Sequence, residues 1–404
     1  MPHQSYPPEP GVSELLQELM GRVHAFLPLL EREEIQRLLE GLQAGVREEL
    51  EQIGDYSRRE QALLARIPEA DYPALFRLHE ELNALEMERF LRFFSVPALH
   101  ENCTSYRDAL AGRALELVRG EMPHPPPLPF ALISMGSDGR QEQTLITDQD
   151  YLIVYGDDGP EQADGYFREF SRILVERLSE IGFKKCTGGI MPSNDNWRGS
   201  LSQWQRRLLA IVRYECEDYG KNLMDLIVLS DARFVAGDRE LAGELVARIR
   251  ALLQDYFLAL WGMAKAATEM RLALGFLKRF WTEGSGEHKG EFNLKLLAWA
   301  PLVMNVRILA INQGIPATST VKRIELLERE KSFSADTARG LIEAYRVLTK
   351  HRILLQIKVI KGIQDDAYYL NPYSLPKEQR ERIRHALLLI EDLQKIIHTN
   401  FSIV

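Results

Sequence analysis

The sequence predicts a mostly helical α+β protein, with a small mixed sheet and its helices set between an N-terminal and a C-terminal helical bundle. Three observations carry this. Apolar residues recur at helical spacing before residue 120 and after about 238, short apolar runs of strand length lie at 130–135 and Tyr151–Tyr155, and a proline-rich break separates the first helices from the first strand. The chain has 404 residues, 45% of them hydrophobic and 27% charged, which suits two or three globular domains with ample core material. The expected domains are 1–122, 123–238 and 239–404.

The first region reads as helices throughout. Leu15, Leu16, Leu19, Val23, Phe26, Leu27 and Leu30 repeat at three and four, as do Ile35, Leu38, Leu39, Leu42, Val46 and Leu50. Gly54-Asp55 and Pro73 punctuate the region. Further helices are expected over about 76–94, ending near Pro97, and over about 104–120. Such helices form a packed bundle or offer a homo-oligomer surface. Pro123, Pro125, Pro126, Pro127 and Pro129 then enforce an extended segment, the first domain boundary. After the two strands comes a helix over about 161–181. A third strand is expected near 184–191 and a fourth at 226–229. From about 238 onward five or six helices follow, broken at Gly284-Ser285-Gly286, Gly314-Ile315-Pro316 and Asn371-Pro372.

Charge and cysteine content exclude several classes. The net charge is −8, yet residues 1–122 carry 13 basic and 22 acidic side chains, while 289–404 carry 18 basic and 12 acidic ones. The basic tail suits an anionic ligand or the acidic head, whereas the overall acidity speaks against general nucleic-acid binding. Cys103, Cys186 and Cys216 form no Cys-x-x-Cys pair, which argues against a disulfide framework or structural zinc and fits the cytoplasm. No secretory signal pattern opens the chain. No uncharged apolar run reaches the ~18 residues of a membrane span, the nearest being 252–267, so no membrane partner is expected.

The chemistry concentrates between the two strands. Gly136 and Ser137 follow the first strand directly. A glycine there lets backbone N–H groups approach a phosphate, and the serine adds a hydroxyl donor. Gly139 adds a second point of backbone freedom, and Arg140 can hold phosphate oxygens in a fork. Asp148 and Asp150, two apart on an extended backbone, point to one face and suit Mg²⁺ or Mn²⁺. No Gly-Lys-Ser/Thr follows, so this is not a Walker loop. Arg198 beside Trp197 is a candidate base or triphosphate contact. Lys295, Arg307, Arg323 and Arg352 on the basic tail are candidates for holding the acceptor.

Gly136-Ser137 followed at this spacing by Asp148-x-Asp150 resembles the nucleotidyltransferase superfamily that includes DNA polymerase β and the kanamycin nucleotidyltransferases. The fuller run, from Gly136 through Gly139-Arg140, Glu142-Gln143-Thr144-Leu145 and Thr147 to Asp150, is similar to a bacterial nucleotidyltransferase family related to the protein-PII uridylyltransferases. The blocks Gly188-Gly189-Ile190-Met191, Trp197-Arg198-Gly199-Ser200-Leu201 and Asp231-Ala232-Arg233-Phe234 resemble the same family. So do Asn293-Leu294-Lys295, Arg307, Arg323, and Arg352 with Gln356 in its helical substrate-binding domain. The resemblance implies a metal-dependent transfer of a nucleoside monophosphate from a nucleoside triphosphate to an acceptor, a regulatory protein among the candidates. Asp148 and Asp150 would hold the metal, and Gly136, Ser137, Gly139 and Arg140 the triphosphate.

The superfamily usually supplies a third carboxylate from a later strand. The related uridylyltransferases carry it where this chain has 186–191, which holds no acid. Asp225 or Asp231 is the expected replacement, as metal ligand or base. Without one, the chain would be a catalytically silent nucleotide-binding module. Cys186 has no activating neighbour in sequence and is not expected to act as a nucleophile.

Overall fold

The computed structural model describes residues 32–403 apart from 160–161, 214 and 216–217. The apolar repeats between Leu15 and Leu30 lie outside the described residues. Packing divides the chain into two compact units, Met1–Ala62 and Leu63–Val404.

The described part of the first unit is a single long helix, α1 (Arg32–Leu64). The expected break at Gly54-Asp55 does not occur. One helical glycine costs only about 1 kcal/mol relative to alanine, and Asp55 pairs with Arg58 and Arg59 one turn on.

In the second unit, α2 (Tyr72–Phe93) and α3 (Val96–Glu121) form an antiparallel pair. Both start on a capped proline turn. Asp71 accepts the Ala74 N–H ahead of α2, and Ser95 accepts the Ala98 N–H ahead of α3. Pro73 and Pro97 therefore open helices, where their missing N–H costs nothing. What ends α2 is Phe94, in the left-handed region at φ 52°.

The central sheet has the order β5-β3-β1-β6. β1 (Phe130–Ser134) runs antiparallel to both β3 (Tyr151–Tyr155) and β6 (Arg233–Gly237), and β5 (Arg198–Ser200) runs parallel to β3. β1 and β3 are buried along their whole length, which is why they read as continuous apolar runs rather than alternating ones. Helix α5 (Ala163–Glu180) sets Phe167 and Phe170 against Phe130, with ring centroids 5.5 and 5.1 Å apart. A second, two-stranded parallel sheet joins β2 (Asp148–Gln149) to β4 (Lys184–Lys185).

Two strand expectations are corrected. The strand near 184–191 is only Lys184–Lys185, and the segment beyond it is irregular. The run at 226–229 is the end of helix α7 (Tyr219–Leu229), which follows α6 (Leu201–Val212). A run of four apolar residues suits a buried helix turn as well as a buried strand. The true strand, β6, starts two residues past Asp231.

The C-terminal part comprises α8 (Arg239–Asp255), α9 (Phe257–Thr268), α10 (Ala300–Asn312), α11 (Thr320–Arg329), α12 (Ala335–Ile360) and α13 (Lys377–Asn400). A small ladder joins β7 (Phe292–Asn293) to β8 (Tyr369–Leu370). Among the described residues one helical stretch, Lys295–Asn312, carries only Lys295 and Arg307 as charged side chains. It is long and apolar enough to cross a membrane, but 72% of it is buried inside this fold, where it forms the centre of the bundle. The whole is a mostly helical α+β fold.

Candidate active site

The turn after β1 brings the glycine and the aspartates together. The Met135 N–H donates to the Asp150 carbonyl at 2.8 Å, which ties the end of β1 to the second aspartate. Gly136 follows at φ +58°, a conformation that favours glycine. A Cβ placed on it would lie 2.6 Å from the Asp150 Oδ2. The glycine is therefore required twice, by its backbone and by the carboxylate that fills the place of its side chain. Residues Gly136–Gly139 form one short helical turn, α4, on which Ser137 is half-buried.

Asp148 is exposed on β2, Gln149 is buried behind it, and Asp150 is half-buried just before β3. The Gln149 amide donates to the carbonyls of Val175 and Phe183, which fixes the opposite face of the strand. Burial raises the Asp150 carboxyl. The Cys186 thiol, hydrogen-bonded to it, opposes that shift, and the Asp148 charge adds to it. Cys186 follows β4 where the third carboxylate was expected. Burial and then the Asp150 charge push its thiol up to about 11, so it is a neutral donor rather than a nucleophile.

One cation from the C-terminal bundle, Lys295, faces this pair, and a second, Arg352, lies within electrostatic reach of Lys295. Lys295 lies within electrostatic reach of Asp148, Asp150 and Cys186, and its ammonium sits over the Tyr368 ring at 5.2 Å. Burial and then the Arg352 charge lower its pKa, and the two aspartates oppose this. The Arg352 guanidinium lies over the Trp299 ring, 3.9 Å from its centroid, and burial brings its pKa down to about 10. Neither cation has a hydrogen bond or ion pair with another described residue. Lys295 faces the two carboxylates, and the Arg352 charge that repels it adds to the positive field an anion would meet there.

The other expected site residues are drawn elsewhere, into a closed cluster around Asp231. Its carboxylate is fully buried and accepts from Arg140 at 2.6 Å, from Arg323 at 3.0 Å and from Arg307 Nε at 3.2 Å. Burial alone would raise this carboxyl, but the three guanidinium groups, Arg307 foremost, hold it below the usual carboxylate range. Arg140 is also clamped by Glu142 at 2.8 Å, and Glu142 accepts the Thr320 N–H. Arg140, Arg307 and Arg323 are thus internal ties between the catalytic turn and the C-terminal bundle, not phosphate or acceptor contacts. Asp231 is their counter-ion, not a metal ligand or base.

Three further expectations change with the geometry. A Cβ on Gly139 would lie 2.1 Å from the Asp231 carbonyl oxygen, so this glycine serves close packing rather than a phosphate. Arg198 is buried and donates to the Pro192 carbonyl at 2.7 Å and to Asp195, holding its own loop. Asp225 sits half-buried on α7, where its charge acts on Arg207. Among the described residues, no three His, Cys, Asp or Glu side chains are placed to hold a metal ion. Neither Asp225 nor Asp231 therefore completes a triad with Asp148 and Asp150.

The pair still fits a hard divalent cation. The Asp148 charge makes the ionised Asp150 carboxylate costlier, which a bound cation would relieve, and the bare Gly136 leaves the Asp150 oxygen open to the turn. Mg²⁺ commonly takes one or two carboxylates and completes its shell with water and substrate phosphates.

A small sheet carrying a Gly-Ser turn and an Asp-x-Asp pair, faced by a cation from a helical bundle, defines a nucleotidyltransferase-like protein. The family described as "Putative nucleotidyltransferase DUF294" matches residues 80–218, and the "Putative nucleotidyltransferase substrate binding domain" matches 257–401. The chain belongs to this nucleotidyltransferase family. No curated protein matches it.

Proposed function

We propose that this protein transfers a nucleoside monophosphate from a nucleoside triphosphate to an acceptor, with pyrophosphate as the leaving group. The observation that carries this is the opposition of Asp148 and Asp150 beside Gly136 to the unpaired Lys295, with the Arg352 charge next to Lys295. Asp148 and Asp150 would hold Mg²⁺ or Mn²⁺, which supplies charge neutralisation for the phosphates when bound. Gly136 and Ser137 present the turn to the triphosphate. Lys295 and Arg352 bind phosphate oxygens and draw the helical bundle onto the nucleotide. The acceptor's nucleophile attacks the α-phosphorus, a P–O bond to it forms, and the bond to the departing pyrophosphate breaks. By likeness to the uridylyltransferases the acceptor is a regulatory protein of the cytoplasm.

A second reading rests on one observation. Cys186 stands beside Asp150 where a third acid is expected, so the site binds nucleotide as a signalling module without turnover. One experiment separates the two readings. Each α-labelled ribonucleoside triphosphate is incubated with Mg²⁺ or Mn²⁺ and clarified lysate, using wild type and Asp148→Asn/Asp150→Asn. Label transfer with pyrophosphate release by wild type alone supports the transferase. Nucleotide binding by wild type without transfer supports the silent module, and the absence of both overturns the site.

A further inference from the structure

A cavity of about 370 Å³ opens beside the strand pair that carries Asp148. Its walls come from one face of α2, the segment just before β2, the turn at Ile181-Gly182, Lys184 of β4 and the last turn of α12. On α2 the lining residues Phe76, His79, Glu80 and Asn83 fall at i, i+3, i+4 and i+7, so a single helical stripe faces the space. Apolar surface from Phe76, Leu145, Ile146, Ile181, Val359 and Ile360 makes up most of the remainder.

The polar groups of this cavity are unevenly satisfied. Arg107 at its base is buried and saturated. Its Nε donates to His79 Nε2 at 3.3 Å, and its remaining N–H groups reach Gln143 at 3.1 Å, the Thr144 carbonyl at 2.6 Å, Asn83 at 3.3 Å and the Leu145 carbonyl at 3.2 Å. All five acceptors are neutral. Its charge is thus hydrogen-bonded but not neutralised. His79 is neutral and adds no second positive charge, since burial and then Arg107 lower its pKa to about 3. The Asn83 carbonyl oxygen is taken by Arg107 and by Tyr106 at 3.1 Å, which leaves its amide N–H groups as donors. Lys184 and Glu80, of opposite sign, both line the cavity, and neither forms an ion pair among the described residues. A space with an apolar body, one free cation, one free carboxylate and a spare amide donor matches a zwitterion.

We infer that this cavity binds a small zwitterion with an apolar side chain, of the α-amino acid class. Its carboxylate meets Lys184 and the Asn83 amide above the uncompensated Arg107. Its ammonium meets Glu80, and its side chain packs on Phe76, Ile181 and Ile360. The inference does not depend on nucleotidyl transfer, because binding is read without nucleotide.

The test is calorimetric titration of the full chain with L-phenylalanine and L-leucine, and with 3-phenylpropionate and phenethylamine, which lack the amine and the carboxylate respectively. At least one amino acid binds with a dissociation constant of about 1 mM or tighter, and the two analogues bind about tenfold more weakly or worse. Lys184→Met and Glu80→Gln, both on exposed side chains, each weaken the amino acid about tenfold or more while the unliganded melting temperature stays near wild type. Absence of binding by both amino acids up to about 10 mM overturns the inference. So does binding that either variant leaves unchanged, or an analogue that binds as tightly as the amino acid.

Discussion

Two charge clusters join the catalytic turn to the C-terminal bundle, and they are built from the same materials. Around Asp231, three arginines converge on one buried carboxylate, and nearly every donor finds an acceptor within the protein. Around Asp148 and Asp150, two carboxylates face Lys295, which makes no direct bond to them and is repelled by the Arg352 charge. The first cluster is finished without a ligand and holds the bundle in place. The second is left open, its carboxylates and Lys295 not bonded to one another. Buried charge alone does not mark an active site, because structural ion-pair networks perturb charges as strongly.

The largest expected effect comes from removing one carboxylate from each cluster in turn. Asp150→Asn lowers nucleotidyl transfer by about a thousandfold or more and leaves urea stability within about 1 kcal/mol of wild type. Asp231→Ala strands three buried guanidinium groups and costs about 3–5 kcal/mol in urea unfolding. Equal stability losses at the two positions would break the comparison.

The cations give the next contrast. Lys295→Met or Arg352→Met raises the nucleotide dissociation constant about tenfold to a hundredfold, with little change in melting temperature. Arg307→Met acts mainly on stability, because its guanidinium is bonded to Asp231.

Gly136→Ala tests the contact between turn and carboxylate. The added Cβ meets the Asp150 Oδ2 at 2.6 Å on a left-handed backbone. A cost of about 1–3 kcal/mol is expected together with loss of nucleotide binding. Gly112→Ala, on an open face of α3, serves as the control. Retained binding in Gly136→Ala would separate the turn from the site.

The smallest effect is a pH slope from the neutral end of the buried network. His79 has its pKa lowered to about 3, by burial first and by Arg107 second, against an unfolded value near 6.5. A depressed pKa contributes stability that is complete above about 6.5 and is lost as pH falls toward 3. The slope is about 1.4 kcal/mol per pH unit inside that window. Urea midpoints measured between pH 7 and pH 5 should fall for wild type and fall less for His79→Gln. An unchanged slope in that variant would remove His79 from the account.

Much of the site was legible in the sequence because its parts are local. Gly136, Ser137, Asp148 and Asp150 lie within fifteen residues, and the strands on either side announce themselves as apolar runs. The cations were legible only as a group. Four were expected to face the ligand, and the fold turns two of them, Arg307 and Arg323, onto Asp231. That partner lies 76 and 92 residues away in sequence, so no local pattern could show the pairing. Arg140 was misjudged for the same reason, since its partner Asp231 is 91 residues distant. The run at 226–229 was ambiguous on chemistry alone, and only packing decided that it closes a helix.

By itself the sequence determined the fold class, the proline break, the Gly-Ser turn and the aspartate pair. These follow from short-range rules: the period of apolar residues, the φ that glycine permits, and the alternation of side chains along a strand. Only the tertiary structure decided which charges would be spent on each other and which left open. That choice depends on distances between residues far apart in the chain, and burial makes each such pairing decisive by removing the water that would otherwise satisfy it.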